Sequence, residues 1–439
     1  METVEIPGPL GRRPRRMRAA RVRQFAAAWI FVEEAVRRLL DFSAALAALL
    51  ALSPLMLLRA IYARAKTGRA FDRTAAVGRF RTPFALLSFA TAAPGRSLAV
   101  LINVVKGDMS FAGPRPLTPQ EALAVPLDGQ VRFWIRPGIV SAYWLRKGIG
   151  VAYESEHDLD RQFYYGQSLR ADLGLMARAI PGSVLRNSAA AEAAPILSFF
   201  GIDITNTSMN EAVEWIISRA QAGSRSQLCF VNPDCLNIAY TNSDYRQVLM
   251  ESERVLPDGI GIHLGGRMKG TPMLENVNGT DLFPQLCARA AAEEIPLFLL
   301  GAQPSVAAAA AAAMQLKYLQ LPIAGAHDGF FAAADTPAVI HQINSSGAKI
   351  LLVAMGAPRQ DLWLAAHRAE LWPPVLIGVG GLFDFYSGNI PRAPMWLREI
   401  GLEWVWRLTQ EPGRMWRRYL IGNPLFLYRV WKEVRDQPE

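Results

Sequence analysis

The chain has 439 residues, of which 51% are apolar and 19% are charged, and its formal net charge is +9. This length is too great for one ordinary hydrophobic core and predicts two or three domains, while the apolar fraction excludes a disordered chain. The three cysteines form no C-x-x-C pair, which argues against a disulfide framework or a structural zinc site and indicates a reducing compartment.

The first 36 residues form a basic N-terminal segment. Seven arginines fall between positions 12 and 23, ahead of a weakly apolar stretch, and this is not the pattern of a secretory signal peptide. Dense positive charge tends to stay on the cytoplasmic side of a membrane. Charge alone does not decide between lipid headgroups, phosphate and nucleic acid as partners.

An apolar run follows at residues 42–58, FSAALAALLALSPLMLL, with basic residues on both sides. A membrane-spanning helix needs about 20 apolar residues, and Pro54 removes a backbone N–H and disfavours helix at Ser53. A broken, re-entrant helix that enters and leaves by the same face fits the short length and the basic flanks. A kinked core helix and a straight span are the alternatives.

The stretch at residues 187–196 is small, polar and aperiodic, as linkers are, and predicts a domain boundary. Beyond it come the apolar runs QLCFVN, PLFLLGA, AKILLVAMGA and PVLIGVGG, separated by tens of residues. Runs that are apolar on both faces predict the buried parallel strands of an α/β sheet. The polyalanine stretch after Val306 predicts one of the helices that cover this sheet.

Two motifs between residues 37 and 186, GDMSFAGPRPLTP and IRPGI, resemble the monotopic polyprenyl-phosphate sugar-1-phosphate transferases. The resemblance implies a re-entrant helix and phosphosugar transfer by an Asp-Glu pair with a magnesium ion. Arg96 and Ser97 stand where that pair is expected, and an arginine cannot act as a carboxylate nucleophile. The family's Lys-Phe-Arg-Thr segment is altered to SFAT at residues 88–91. We therefore expect a degenerate anchoring domain, in which Arg115 and Arg136 are the remaining candidates for binding phosphate.

Six motifs follow in the rest of the chain: VNPDCLNIAY, VLPDGIGI, NGTDLF, GAPRQDLW, GVGGLFDFYSGNIPRAP and GLEWVWRLTQEPGRMWRRYLIGNP. Their order and spacing resemble the WecG/TagA/CpsF family, also called glycosyltransferase family 26. One such motif alone is weak evidence for a family, because an Asp-Gly pair is usually a turn. Six motifs in the same order and spacing make a chance similarity improbable. The resemblance implies inverting transfer of a hexose or N-acetylhexosamine-type sugar from a UDP-sugar to a polyprenyl-diphosphate-linked saccharide.

These patterns together predict an α/β protein in which a mainly helical, membrane-associated domain precedes a Rossmann-like parallel-sheet glycosyltransferase domain. The first domain spans residues 37–186 and carries the re-entrant helix. The glycosyltransferase core spans residues 197–390, and a basic, aromatic helical appendage at residues 391–439 completes the active site. We expect the protein at the cytoplasmic face of the bacterial inner membrane.

Inverting transfer needs a base for the acceptor hydroxyl and cationic groups for the departing diphosphate. Asp258 follows a strand end in a Pro-Asp-Gly turn and matches the residue proposed as the family's base, with a purely turn-forming role as the alternative. Parallel sheets bind ligands at this edge. Arg407, Arg414 and Arg417 are expected to assist catalysis and Arg418 to bind substrate, since arginine forks match diphosphate geometry. A merely solvated basic helix is the alternative.

Asn232 at a strand end and Gln360 after a Gly-Ala-Pro turn carry neutral amides suited to uracil or sugar hydroxyls, with helix capping as the alternative. Asp384 lies between two phenylalanines and is expected to hold a sugar hydroxyl, unless it makes only a structural hydrogen bond.

The resemblance adds Gly259, Thr280 and Asp281 to the substrate-binding residues. It also shows one departure, because Asn276 stands where the family usually has an arginine. Arg267 and Lys269 are the candidates to replace its phosphate contact.

The acids are accompanied by no D-x-D pair and no histidine cluster, so we expect a metal-independent reaction without a cofactor. A bifunctional enzyme that also transfers sugar-1-phosphate to polyprenyl phosphate and a non-enzymatic membrane scaffold remain as alternatives. GVGGLF lacks the G-x-G-x-x-G spacing of a nicotinamide-binding loop. With no nucleic-acid module recognisable, the expected partners are the UDP-sugar, the lipid-linked acceptor, membrane lipids and, in the shared membrane plane, further copies of the chain.

Overall fold

The computed structural model describes residues 13–91, 95–148, 151, 154–185 and 194–436. Contacts divide the chain into two compact units. The first unit consists of Met1–Leu145 and Glu154–Ile180, and the second consists of Arg146–Tyr153 and Pro181–Glu439. The first twelve residues of the predicted basic segment and residues 187–193 of the predicted linker lie outside the described residues.

The first unit is organised around one long helix, α1 (Arg13–Thr67). Ala45 and Met56 on one face of α1 are buried against α2 (Val100–Lys106) and an antiparallel hairpin of β1 (Phe71–Val77) and β2 (Pro83–Phe89). The remaining elements of the N-terminal half are β3 (Ser110–Ala112), α3 (Pro119–Leu123), β4 (Gly138–Val140), α4 (Ala142–Gly148), α5 (Glu156–Tyr165) and α6 (Leu169–Leu185).

Helix α1 continues through Pro54, whereas the sequence predicts a break there. The proline has no N–H to offer the carbonyl of Leu50, four residues earlier. The hydroxyl of Ser53 donates to that carbonyl at 2.8 Å instead. Since the carbonyl keeps a partner, the backbone stays helical at this point. The re-entrant placement of α1 in a membrane stays a prediction.

The other face of α1 is apolar and uncovered within the described residues. Leu39, Leu50 and Leu58 each expose about two thirds of their surface (66%, 69% and 65%). The stretch Val32–Thr67 is long and apolar enough to cross a membrane by length and composition. An uncovered apolar helix surface marks a site of contact with a membrane or with another protein.

The second unit contains a six-stranded parallel sheet, which confirms the predicted α/β class. Its strands are β7 (Ser226–Val231), β8 (Arg254–Pro257), β9 (Leu297–Gly301), β10 (Ile323–His327), β11 (Ile350–Ala354) and β12 (Val375–Gly378). They lie in the order β10-β9-β11-β12-β7-β8. The four predicted apolar runs are β7, β9, β11 and β12, and these central strands are buried along their whole length. A short antiparallel hairpin, β5 (Ile196–Phe199) and β6 (Ile202–Thr205), precedes the sheet.

Helices cover both faces of this sheet, because side chains alternate between two cores along each strand. Phe230, Leu299 and Leu352 enter one core, while their neighbours Val231, Leu300 and Val353 face the other side. The predicted polyalanine helix is α12. The helices are α7 (Met209–Gln221), α8 (Pro233–Thr241), α9 (Ser243–Glu251), α10 (Ile260–Met268), α11 (Gly279–Ala292), α12 (Val306–Lys317), α13 (Thr336–Ser345), α14 (Arg359–Ala366), α15 (Leu382–Tyr386), α16 (Met395–Arg398), α17 (Glu403–Gln410), α18 (Pro412–Trp416) and α19 (Asn423–Asp436), with a π-helical turn between the last two.

The C-terminal helix α19 fixes the basic tail to the core. Phe426 and Val430 on α19 are fully buried in the core beside α8 and α10. The guanidinium of Arg429 lies over the ring of Tyr240, 4.2 Å from its centroid, and Glu433 pairs with Lys269 at 3.1 Å. Because α19 is held in this way, α17 and α18 lie next to the carboxyl ends of the strands.

Candidate functional site

Two adjoining cavities open at the carboxyl edge of the six-stranded sheet. The larger, of about 660 Å³, lies over the ends of β9, β11 and β12. The smaller, of about 130 Å³, is bordered by α10, α17 and the start of α11. Seven residues line both cavities and form the boundary between them: Asn232, Asp234, Asp258, Thr280, Phe385, Arg407 and Arg418.

Asp258 lies at this boundary, directly after β8. Its backbone N–H donates to the carbonyl of Val231 at 2.8 Å, which ties the end of β8 to the end of β7. Protein surrounds the carboxylate, which reaches solvent only in part. Burial raises the pKa of this carboxyl above its usual value, while the charges of Arg418 and Arg407 favour the ionised form and that of Glu403 opposes it.

Asn232 does two things at the end of β7. Its side-chain oxygen accepts hydrogen bonds from the N–H groups of Asp234 and Cys235 at 3.1 and 3.2 Å, and so caps α8. Its side chain also lies close to the Asp258 carboxylate and favours the ionised form of that acid, lowering its pKa. Asn232 therefore caps α8, while its role in binding substrate stays a prediction.

Gly259 lines the smaller cavity and turns the chain from β8 into α10. Its φ of 95° and ψ of 165° lie in a region that residues with a Cβ rarely adopt. Its N–H donates to the side-chain oxygen of Asn276 at 2.7 Å. Asn276 thus contacts the turn that carries Asp258. Arg267 and Lys269, the predicted substitutes, line neither cavity.

Gln360 is buried beneath the larger cavity, which it also lines. Its side-chain oxygen accepts from the N–H of Gly356 at 3.1 Å and from that of Gly380 at 2.9 Å. It therefore joins the turns that follow β11 and β12. Behind it lies Asp361, fully buried, which accepts a hydrogen bond from the hydroxyl of Tyr245 at 3.2 Å.

Asp384 and two tail arginines converge on the far side of the larger cavity. Arg407 and Asp384 both approach Gly381. A Cβ atom added to this glycine would lie 3.5 Å from Nη2 of Arg407 and 3.7 Å from Oδ2 of Asp384. Burial raises the pKa of Asp384, and Arg414 and Arg407 counteract that effect. Arg414 lines the larger cavity and pairs with Glu411 at 3.0 Å.

Arg418 and Arg417 are neighbours in sequence with different surroundings. Arg418 is half-buried, lines both cavities and lies 3.7 Å from Asp234. Arg417 is exposed, and its guanidinium lies over the ring of Trp416. Arg417 lines neither cavity, so the structure does not bring it together with the other predicted catalytic residues.

Thr280 and Asp281 are adjacent in the first turn of α11, but only Thr280 reaches the cavities. Thr280 lines both cavities. Asp281 lines neither and is buried, with its Oδ1 2.5 Å from Arg392 and 2.7 Å from Arg398. Arg398 in turn lines the smaller cavity. Asp281 therefore lies behind the site, where it positions Arg398.

Several polar residues of the cavities escaped the sequence analysis, among them two in the smaller cavity and one in the larger. His263 and Glu403 line the smaller cavity, and Arg359 lines the larger one. Glu403 lies four residues before Arg407 on α17, a spacing that puts both side chains on one helix face. The four-residue spacing from Arg407 could have identified Glu403 in the sequence. His263 is the fourth residue of α10, and its apolar neighbours gave no signal.

Three arginines of the first unit were singled out from the sequence, namely Arg96, Arg115 and Arg136. Arg96 lies 3.4 Å from Asp72, and its Nε donates to the hydroxyl of Ser88 at 3.3 Å. Of the two candidate phosphate ligands, Arg115 pairs with Glu121 and Glu156, each at 2.9 Å. Arg136 donates to the carbonyl of Gly107 at 3.1 Å and lies near Glu34.

Within the described residues, no three His, Cys, Asp or Glu side chains come together as a metal site would require. The larger cavity is bordered by arginines on the tail side, and a partly enclosed carboxylate separates it from the smaller one. Chemically, this arrangement suits removal of a proton on one side and stabilisation of developing negative charge on the other.

Comparison with known protein families gives two matches. Residues 197–439 match the model described as the glycosyl transferase WecG/TagA/CpsF family. Residues 96–186 match the model described as the bacterial sugar transferase. Both cavities lie mainly within the first match, whereas the second match begins at Arg96.

Proposed function

The chain belongs to the WecG/TagA/CpsF family of glycosyl transferases, and from this we propose a specific reaction for it. It transfers a hexose or N-acetylhexosamine-type sugar, with inversion, from a UDP-sugar to a polyprenyl-diphosphate-linked saccharide. The product enters surface polysaccharide biosynthesis. The observation that carries the proposal is the position of Asp258, on the boundary between a large and a small cavity.

The larger cavity suits the nucleotide sugar. Its volume of about 660 Å³ falls in the range of small-molecule sites, about 300–1,000 Å³. Arg407, Arg414 and Arg418 line it, and guanidinium groups bind diphosphate oxygens bidentately. We assign these three arginines to the departing UDP. Asn232 and Gln360 offer amide groups at the strand ends, and Asp384 offers a carboxylate for a sugar hydroxyl.

The smaller cavity suits the sugar end of the acceptor. Trp404 and Tyr419 line it with their rings 5.9 Å apart, and aromatic faces pack well against the apolar faces of a sugar ring. Glu403 and His263 line the same cavity and can hydrogen-bond to hydroxyls. An acceptor hydroxyl bound here would approach the donor from the side on which Asp258 lies.

Asp258 then takes the proton of the attacking hydroxyl. A general base needs a pKa near the working pH, and burial raises the pKa of Asp258 in that direction. Arg418 and Arg407 keep the carboxylate from becoming protonated too readily. The same arginines face the larger cavity, where the leaving group develops its charge. We expect the reaction to need no metal ion. The sequence-based assignment of Arg417 to catalysis stays a prediction.

We further propose that residues 37–186 form a degenerate sugar transferase domain that anchors the enzyme at the cytoplasmic face of the bacterial inner membrane. The pairing of Arg96 with Asp72 supports this, because a cation fills the place of the nucleophile. The uncovered apolar face of α1 suits contact with lipids. Under this proposal, residues 197–390 are the catalytic core and residues 391–439 complete its site.

A second candidate is a bifunctional enzyme, which the match of residues 96–186 to the bacterial sugar transferase model favours. The two activities release different nucleotides. Sugar transfer to the lipid-linked saccharide releases UDP, whereas sugar-1-phosphate transfer to polyprenyl phosphate releases UMP. One assay that separates UDP from UMP therefore distinguishes the two functions.

The test uses the purified full-length chain in detergent with a panel of UDP-sugars, a polyprenyl-diphosphate-linked saccharide and a metal chelator. We expect UDP release that depends on the acceptor and survives chelation. Release of UMP with polyprenyl phosphate alone would establish the bifunctional alternative. If no donor yields UDP and the chain does not bind UDP in a titration, the glycosyltransferase proposal is overturned and a scaffold role takes its place.

A further inference from the structure

One wall of the smaller cavity lies outside the residues that match the glycosyl transferase family model. Val151 lines this cavity and is 7% exposed. It belongs to Arg146–Tyr153, a short stretch that is part of the second unit although it precedes residue 197 by more than 40 positions. We call residues 146–148 together with Val151 the insert segment.

Two basic residues hold the insert segment to acidic groups of the second unit. Nε of Arg146 donates to Oε1 of Glu399 at 2.8 Å, and their side chains are only 11% and 2% exposed. Such a desolvated, charge-assisted hydrogen bond is strong and directional. The adjacent Lys147 interacts electrostatically with Glu275, which also accepts a hydrogen bond from the backbone of Met209 at 2.7 Å.

Val151 is tied to the same anchor and lines the cavity. The N–H of Val151 donates to the carbonyl of Arg146 at 2.9 Å. This backbone hydrogen bond couples the Arg146–Glu399 ion pair to Val151, the residue that lines the cavity. Glu399, the partner of Arg146, directly follows Arg398, and Arg398 lines the same cavity as Val151.

We propose that the insert segment selects the acceptor, with Val151 as the residue that limits the size and orientation of the sugar in the smaller cavity. This rests on the proposed function, in which that cavity holds the sugar end of the acceptor. The branched, apolar side chain of Val151 packs against the C–H face of the sugar. Asp258 and Glu403, which line the same cavity, receive its hydroxyls. Donor binding in the larger cavity, which Val151 does not line, is independent of the segment.

The test measures KM for donor and acceptor separately in the full-length chain. Val151→Trp fills the cavity, and Arg146→Gln removes the anchor. A steric change of this size in a substrate pocket costs about tenfold or more in discrimination, so we expect the acceptor KM to rise at least about tenfold in both variants. The donor KM and the affinity for UDP should change less than about twofold, a split that general loss of folding would not produce.

Leu316→Trp and Arg225→Gln are the matched controls, because both residues are exposed in the second unit and line neither cavity. Melting temperatures identify variants that fail to fold. If Val151→Trp does not fold, Val151→Ala replaces it, and we expect this variant to have an altered KM for the acceptor. If the folded Val151 and Arg146 variants keep the acceptor KM of the controls, the inference is overturned and the proposed function survives. A wild-type chain without acceptor-dependent UDP release overturns both.

Discussion

Asp281 and Arg398 form a buried salt bridge, 2.7 Å long, between the first turn of α11 and the last residue of α16. Arg392 joins the same carboxylate oxygen at 2.5 Å. Burial alone would raise the pKa of Asp281, but the two guanidinium groups lower it overall. The pair therefore connects the sheet-covering helix to the tail that lines the smaller cavity.

We expect Asp281→Asn to destabilise the second unit by about 3–5 kcal/mol, because it removes the carboxylate shared by the buried Arg398 and the partly exposed Arg392. Chemical denaturation monitored by circular dichroism measures this loss. Asp203→Asn, at an exposed position of β6, is the control. A loss below about 1 kcal/mol would mean that the ion pairs contribute little. Because the folded-state pKa is lowered, wild-type stability should also fall as acid protonates Asp281.

Replacement of Asp258 tests the candidate base directly. Asp258→Asn keeps the size of the side chain and removes its ability to accept a proton. General base catalysis contributes about 10²–10⁴-fold, so we expect kcat to fall by that factor while the affinity for UDP changes little. Acceptor-dependent UDP release measures kcat, with Asp203→Asn again as the control. A rate within about threefold of wild type would exclude Asp258 as the base.

Arg418 controls the proton affinity of Asp258. Burial raises the pKa of Asp258 and Arg418 lowers it, so the variant Arg418→Gln should raise it further. A base works only when it is deprotonated, and the acid limb of the kcat/KM profile should therefore move to higher pH. Arg225→Gln, an exposed arginine far from the cavities, controls for the lost charge. An acid limb that stays in place would separate Arg418 from the base.

The sheet and the strand-end residues could be predicted from the sequence for one physical reason. Strands buried on both faces must be continuously apolar, and the polar residues that directly follow them, such as Asn232, must lie at the carboxyl edge. Strand β10 was missed because it is an edge strand, only half-buried along its length, and its sequence IAGAH has no long apolar run.

The surroundings of Asp281 could not be predicted, because its partner Arg398 lies 117 residues further along the chain. No local pattern reports such a contact. The continuity of α1 at Pro54 depended on the rotamer of Ser53, whose hydroxyl replaces the missing N–H. Propensity rules capture the loss of a donor but not its replacement by a neighbouring side chain.

Gly259 is required by backbone conformation and not by space. A Cβ added there would meet no atom within 4 Å, but its φ of 95° is strained for any other residue. Occupying that region costs about 1–3 kcal/mol. We expect Gly259→Ala to destabilise the protein by that amount and to lower kcat by displacing Asp258. Gly413→Ala, with equal space and no positive φ, should leave kcat unchanged and raise stability slightly, since alanine favours the helix in which Gly413 lies. Equal effects of the two variants would contradict the backbone argument.

Asp361 should make stability depend on pH in the opposite direction to Asp281. Burial raises its pKa to about 7, even though the neighbouring Tyr245, Cys229 and Gln360 each lower it. The folded state therefore holds a proton that the unfolded state releases near pH 4, and the free energy of unfolding falls as pH rises towards 7. Asp361→Asn cannot ionise, so its melting temperature relative to wild type should increase between pH 5 and pH 8. A constant difference over that range would show that Asp361 is ionised in the folded protein throughout.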